Sequence, residues 1–100
     1  MSANVVVRYR TRPESADENA RLVQQVYAEL AALAPAGFRY ATYRLDDGVT
    51  FVHVARHEAG ANPLPGLPAF AEFQRELGGR CEEPPAAAGA DLVGSYGWDS

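Results

Sequence analysis

Two histidines, His53 and His57, lie four residues apart in the segment TFVHVARHE, residues 50–58. On a helix that spacing would bring both imidazoles to one face, where they could share a metal ion. On a strand it does not. A rise of about 3.3 Å per residue sets them roughly 13 Å apart, whereas one metal needs its nitrogens within about 2 Å. The segment is rich in β-branched and aromatic residues and follows Asp47-Gly48, so it reads as strand, and no metal is expected there. Acid–base chemistry is what remains. With an ordinary pKa near neutrality, His53 could act as general base on a phenolic or enolic proton. The plainer reading, and the preferred one, is a cavity-lining histidine hydrogen-bonded to Thr42 or to a partner chain. His57, at the strand end, reads as a rim residue.

The partners of these groups follow from the hairpin. Residues 38–46, FRYATYRLD, and 49–57, VTFVHVARH, flank Asp47-Gly48, a pair suited to a two-residue type I′ turn. That turn pairs Asp46 with Val49 and fixes the register. Phe38 then faces His57, Tyr40 faces Ala55, Thr42 faces His53 and Arg44 faces Phe51. The opposite side carries Ala41 with Val54, Tyr43 with Val52 and Leu45 with Thr50. This second set is smaller and more aliphatic, so it is expected under the helices. The first set mixes rings with polar groups and is expected to face a second copy of the chain across a cavity. There Tyr40, Thr42, Arg44, Phe51 and His57 would contact a ligand beside His53, with Arg44 binding an anion or pairing with an acid across the dimer. Arg8 and Arg10 are expected on that face, and Val5, Val7 and Tyr9 under the helices. Asn62, in GANPLPG, reads as a turn residue that could cap the cavity mouth.

The elements that must position these groups are legible around the hairpin. Residues 4–12, NVVVRYRTR, read as a strand closed by Pro13. Ser15 and Glu18 have capping-box spacing, and Leu22, Val23, Val26, Tyr27, Leu30 and Leu33 recur at helical spacing until Pro35 and Gly37. A second helix is expected from Pro68, with Leu67, Phe70, Phe73 and Leu77 as its apolar stripe and Gly78-Gly79 as its stop. Residues 80–90 have linker composition, and 91–98, DLVGSYGW, read as a last strand. The order β-α-β-β-α-β predicts a ferredoxin-like α+β fold, a four-stranded antiparallel sheet with two helices on one face, as a single domain over residues 1–100.

Bulk properties narrow the function classes. The 100 residues carry a net charge of −4, so binding to a nucleic-acid backbone is not expected, and Arg8, Arg10 and Arg12 are too few for a basic patch. The glycines form neither G-x-G-x-x-G nor G-K-[ST], so no nucleotide cofactor is expected. No secretory signal or membrane span is expected, and the single cysteine, Cys81, fits a reducing cytoplasm. Neither a partner histidine nor a helix start activates that thiol.

The segments VVVRYRTRPES, GFRYATYRLDDGVTFVHVARHE and LVGSYG, with an amphipathic helix after the first, resemble the dimeric α+β barrel superfamily. Within it the chain is most similar to the antibiotic-biosynthesis-monooxygenase-like proteins. The resemblance implies a homodimer and oxidation of an aromatic or polyketide-like compound without a cofactor, by cavity residues of the Asn, Trp, Tyr or His types. The sequence departs from that pattern in two places. Its one tryptophan, Trp98, is remote from the third strand and the second helix, and PAFAEFQREL lacks the histidine that haem-degrading relatives use. Two functions are therefore expected: a small cofactor-independent enzyme using His53, or a non-catalytic dimer that binds a small aromatic molecule or serves as an accessory subunit.

Overall fold

The computed structural model describes residues 2–58, 60 and 62–97. Strand β1 (Ser2–Thr11) ends just before Pro13, which opens a 3-10 turn over Pro13–Ser15 that leads into helix α1 (Ala16–Leu33). The capping box does not form. Ser15 makes no side-chain cap bond and is already near helical conformation, at φ −104° and ψ −4°. Its N–H donates instead to the Arg12 carbonyl at 3.0 Å, because Pro13, which has no N–H to satisfy, starts the turn earlier. Ala16, Asn19, Leu22, Val23 and Val26 form the buried side of α1, at the i, i+3, i+4, i+7 spacing of one helix face. The helix ends on Ala34 in the left-handed region, φ 48°, whose N–H closes the last turn on Leu30 at 2.7 Å. Pro35 follows and cannot continue it.

Strands β2 (Phe38–Arg44) and β3 (Thr50–Glu58) form the expected hairpin. The register is as expected: Phe38 opposite His57, Tyr40 opposite Ala55, Thr42 opposite His53 and Arg44 opposite Phe51. The turn itself is different. A type I′ turn needs positive φ at both central residues, and here only Gly48 has it, at +80°. The connection is a wider loop: Gly48 N–H donates to the Leu45 carbonyl at 2.9 Å, and Leu45 N–H to the Thr50 carbonyl at 2.9 Å. The Asp47 carboxylate accepts the backbone N–H groups of Val49 and Thr50, each at 2.9 Å, and the Thr50 hydroxyl. These three donors hold its pKa down, to about 2. Both turns place Leu45 opposite Thr50, so the register survives the change of turn.

Helices α2 (Pro68–Arg75) and α3 (Leu77–Arg80) follow. Gly78-Gly79 does not stop the helix; the break falls at Glu76, φ −126° and ψ 24°, and the glycines lie inside α3. Strand β4 (Cys81–Ala90) then completes a sheet of order β2-β3-β1-β4. The antiparallel four-stranded sheet and its helices make the expected ferredoxin-like α+β fold.

Strand β4 occupies the stretch that composition marked as linker, and 91–97 carry no regular structure; Trp98 lies outside the described residues. Two prolines and an alanine run argue against a strand, but β4 sits at the sheet edge, where proline is tolerated. Its pairing with β1 slips between Arg8↔Ala86 and Arg10↔Glu83 and again before Thr11↔Cys81. Each slip inserts one extra β4 residue, and Pro84 and Pro85 fall within the first bulge.

The two sheet faces are the reverse of the expectation for the hairpin. In the pairing of β1 with β3, Tyr9 lies opposite Phe51 and Val7 opposite His53. Val5, Val7 and Tyr9 do lie under the helices, and the face with Phe51, His53 and Tyr40 lies there with them. Tyr9 stacks on Phe51 with ring centroids 5.6 Å apart, and both are 2% exposed. His53, 4% exposed, sits 5.6 Å from the ring of Phe73 on α2. Arg8 and Arg10 share the open face with Ala41, Tyr43, Val52 and Val54, and Tyr43 is exposed. Arg10 pairs with Glu82 at 3.6 Å and Glu83 at 3.2 Å. Among the described residues no helix is long and apolar enough to cross a membrane.

The loop geometry gives a direct check. No atom lies near a Cβ added at Gly48, so Gly48→Ala meets only the backbone penalty of its φ, about 1 kcal/mol. Its urea midpoint should fall accordingly with the denaturant slope unchanged.

Candidate functional site: a cavity between sheet and helices

A cavity of about 350 Å³ lies between the sheet and the helical layer. Leu64, Phe70, Phe73 and Leu77 wall it on the helical side, and Val5, Val7 and Ala55 on the sheet side. Three polar groups border it from the sheet: Tyr9, Tyr40 and His53. His57, Asn62 and Gln74 line it as well and are partly or fully exposed. Asn62 also keeps its turn role, accepting the Leu64 N–H at 3.1 Å. Apolar walls with a few convergent polar groups are the usual make-up of a small-molecule site. A larger hollow of about 850 Å³ lies against the open sheet face beside residues 92–95. Exposed Tyr43 and Val54 stand in its wall, with Leu92, Gly94 and Ser95 along one side.

The polar groups of the cavity form one hydrogen-bonded set. His53 Nε2 bonds the Tyr9 hydroxyl at 2.8 Å, and Nδ1 bonds the Tyr40 hydroxyl at 2.7 Å and Thr42 Oγ1 at 3.1 Å. Thr42 Oγ1 also bonds the Tyr27 hydroxyl at 2.8 Å. Behind Tyr9, Asn19 Nδ2 donates to its hydroxyl at 2.9 Å, and Arg80 Nε donates to Asn19 Oδ1 at 3.1 Å. Burial disfavours charge on each of these rings. Loss of water pushes the Tyr9 and Tyr40 phenols well above the usual tyrosine range and pulls His53 down to about 4. At neutral pH the imidazole is uncharged and both of its nitrogens are occupied.

Of the residues singled out in the sequence, His53, Tyr40 and His57 border the cavity. Thr42 reaches His53 from the side, and Phe51 lies behind, against Tyr9. Arg44 is elsewhere: its guanidinium bonds Asp17 at 3.1 Å and the Gly48 carbonyl at 2.8 Å, and lies 5.7 Å from the Phe51 ring centroid. Its acid partner is thus in its own chain. Sequence reasoning missed Asn19 and Arg80 as site residues and read Tyr9 as packing only. For Asn19 a signal existed: it is the one amide on the i, i+3, i+4, i+7 stripe of α1, and it is fully buried. A polar residue on a core stripe needs a buried partner. Arg80 gave no such signal, because it follows Gly78-Gly79 in what reads as a helix end.

No family model matches the sequence, and no curated protein matches it. Solved structures do. A Mycobacterium tuberculosis protein, Rv0793, superposes with a TM-score of 0.75 at 21% identity, over 95% of this chain and 98% of that one. A structure described as an antibiotic biosynthesis monooxygenase gives 0.74 at 15% identity, over 94% and 100%. SnoaB of Streptomyces nogalater, described as a cofactor-independent oxygenase, gives 0.70 at 15% identity, over 97% and 98%. The fold is that of the antibiotic-biosynthesis-monooxygenase-like proteins. At these identities the likeness establishes the fold, and what the cavity does must be argued from its own residues.

The buried imidazole makes stability depend on pH. The unfolded chain binds a proton at His53 below its ordinary pKa of 6.5, while the folded chain resists until about pH 4. Between those values the unfolded state holds more protons, so stability rises with pH and is fully present above 6.5. The contribution falls by up to about 1.4 kcal/mol per pH unit across that window, on the order of 3 kcal/mol in all. Urea unfolding between pH 7 and pH 4 should show this slope, and His53→Gln should flatten it.

Proposed function

We propose that this protein binds a small aromatic or polyketide-like molecule in the cavity between sheet and helices and acts on it as a cofactor-independent, monooxygenase-like enzyme. The observation that carries the reading is the cavity: apolar and aromatic walls around the polar set Tyr9, Tyr40 and His53. A flat ring system fits between Phe70 and Phe73 on one side and Val7 and Ala55 on the other. An oxygen substituent would reach Tyr40 and His53.

The reaction that suits such a site starts from an activated methylene flanked by aromatic or carbonyl groups. Removing its proton gives a carbanion, delocalised as an enolate or phenolate, that reacts directly with dioxygen. One oxygen atom enters the product as a carbonyl, and the other leaves as water with the two methylene hydrogens. His53 is the candidate proton acceptor, its Nε2 taking the Tyr9 proton as the Tyr9 oxygen, which borders the cavity, takes the substrate's. Burial makes it a weak base, so it suits an acidic enol or polyhydroxylated ring rather than a simple phenol. The same weakness, with both ring nitrogens already bonded, favours the second reading, a non-catalytic carrier of such a molecule. The two differ in turnover: oxygen uptake with a bound ligand, abolished by His53→Ala, supports the enzyme.

A thermal-shift screen of hydroxylated aromatic and polyketide-like compounds tests the binding itself. A ligand at about a hundredfold excess over its Kd stabilises by about 2.7 kcal/mol, a rise in Tm on the order of 10 °C for a domain of this size. Ala55→Leu fills the cavity from the sheet side and should abolish the shift. A shift that persists in that variant places the ligand elsewhere.

The homodimer belongs to the same proposal. Val54 and Tyr43 stand on the open sheet face at 36% and 46% exposure, and pairing two copies through that face would cover them. Sedimentation equilibrium should give about twice the 10.8 kDa chain mass, and Val54→Lys should return the monomer. A monomeric parent protein at micromolar concentration overturns the pairing and leaves the cavity reading standing.

A further inference from the structure

The hydrogen bonds behind His53 have a direction, and a buried arginine sets it. The Arg80 side chain is 7% exposed. Its Nη2 donates to the Phe73 carbonyl at 2.7 Å, its guanidinium lies 5.6 Å from the Phe73 ring centroid, and its Nε donates to Asn19. No carboxylate pairs with it in the ion pairs formed among the described residues. A guanidinium can only donate. Asn19 must therefore turn its oxygen toward Arg80, which leaves its amide N–H groups for Tyr9. The Tyr9 oxygen thus accepts from Asn19, and its own proton has one partner left, His53 Nε2. That nitrogen must then be bare, and a neutral imidazole with a bare Nε2 carries its proton on Nδ1. The chain runs on in the same sense, from Nδ1–H to the Tyr40 oxygen, the nearer of its two acceptors.

We infer that Arg80 and Asn19 are positioning residues that lock His53 in the Nδ1–H tautomer and so aim a donated proton at Tyr40. The locking element spans three parts of the fold: Asn19 on α1, Arg80 at the end of α3, and Tyr9 on β1. Hydrogen bonds linked head to tail polarise one another in a low-dielectric interior, and here the head of the line is a cation. Tyr40 is its member next to the cavity on the far side of His53. Because its oxygen accepts a hydrogen bond from His53, Tyr40 is the better donor to whatever stands beside it. The ligand class that gains is one with an acceptor oxygen at that point, a carbonyl, enolate or phenolate, rather than a bare hydrocarbon. That consequence rests on the ligand reading above; the tautomer does not, and its test needs no ligand.

The experiment is long-range ¹H–¹⁵N correlation spectroscopy of the uniformly ¹⁵N-labelled protein at pH 7, which distinguishes the two neutral tautomers by the shifts of the ring nitrogens. The parent protein should show His53 as Nδ1–H, with Nε2 unprotonated. Asn19→Asp is nearly isosteric and replaces a donor by an acceptor. The new carboxylate still accepts from Arg80 but must now also accept the Tyr9 proton. Tyr9 then becomes an acceptor toward His53, and the imidazole should switch to Nε2–H. A parent protein in the Nε2–H form overturns the inference outright, whether or not the variant folds. A folded Asn19→Asp protein that keeps Nδ1–H overturns it as well, since Asn19 would then not govern the proton. Tyr9→Phe removes the link between them and should leave a mixture of tautomers; a pure Nδ1–H form in that variant would transfer control to Tyr40 and Thr42 and sink the role of Arg80.

Discussion

A buried imidazole is tolerable only if both of its nitrogens are bonded, and much of this architecture answers to that constraint. Leaving one such group unpaired costs about 1–3 kcal/mol, a large share of the stability of a 100-residue domain. His53 stands on β3; its partners come from β1 and β2, theirs from α1, and Arg80 on α3 bonds Asn19 behind them. Apolar contacts alone would let a helix slide over a sheet by fractions of a turn with little penalty. Hydrogen bonds of 2.7–3.1 Å linking Arg80, Asn19, Tyr9, His53, Tyr40 and Thr42 do not allow that. The polar set therefore fixes where the helices lie on the sheet, and with them the walls of the cavity.

This explains which parts of the molecule could be read in the amino acids. The hairpin register was legible because a short loop between β2 and β3 leaves little freedom, and even the wider turn conserves it. The side of the ribbon that meets the helices was not. Strand alternation sorts residues into two sets but does not say which set is covered, and the smaller aliphatic set looked the better floor. What decides it is the long-range pairing of β1 with β3. That pairing places Tyr9 against Phe51, and no turn connects the two strands to reveal it. Once Tyr9 is beneath the helices, as its neighbours Val5 and Val7 require, His53 has to be there too. The final strand was hidden for a related reason: β4 exists because β1 needs a neighbour, and the local preferences of Pro84, Pro85 and the alanines are overruled.

Likeness of fold does not by itself carry likeness of site. At 15–21% identity, TM-scores of 0.70–0.75 describe a backbone that many sequences share, and a backbone hosts different functions through the side chains grafted on it. In this chain the cavity holds a neutral imidazole between two phenols, with a cation two residues removed from it.

The bulged, proline-bearing margin formed by β4 carries one more consequence. A sheet that ends in a straight strand offers a ladder of free donors and acceptors to any passing chain and invites fibrous growth. Pro84 and Pro85 have no N–H to offer, and the double slip against β1 bends what remains. Recruitment of a fifth strand on that flank is therefore suppressed by covalent structure, and a small protein with little stability in reserve gains a built-in guard against polymerising along its rim.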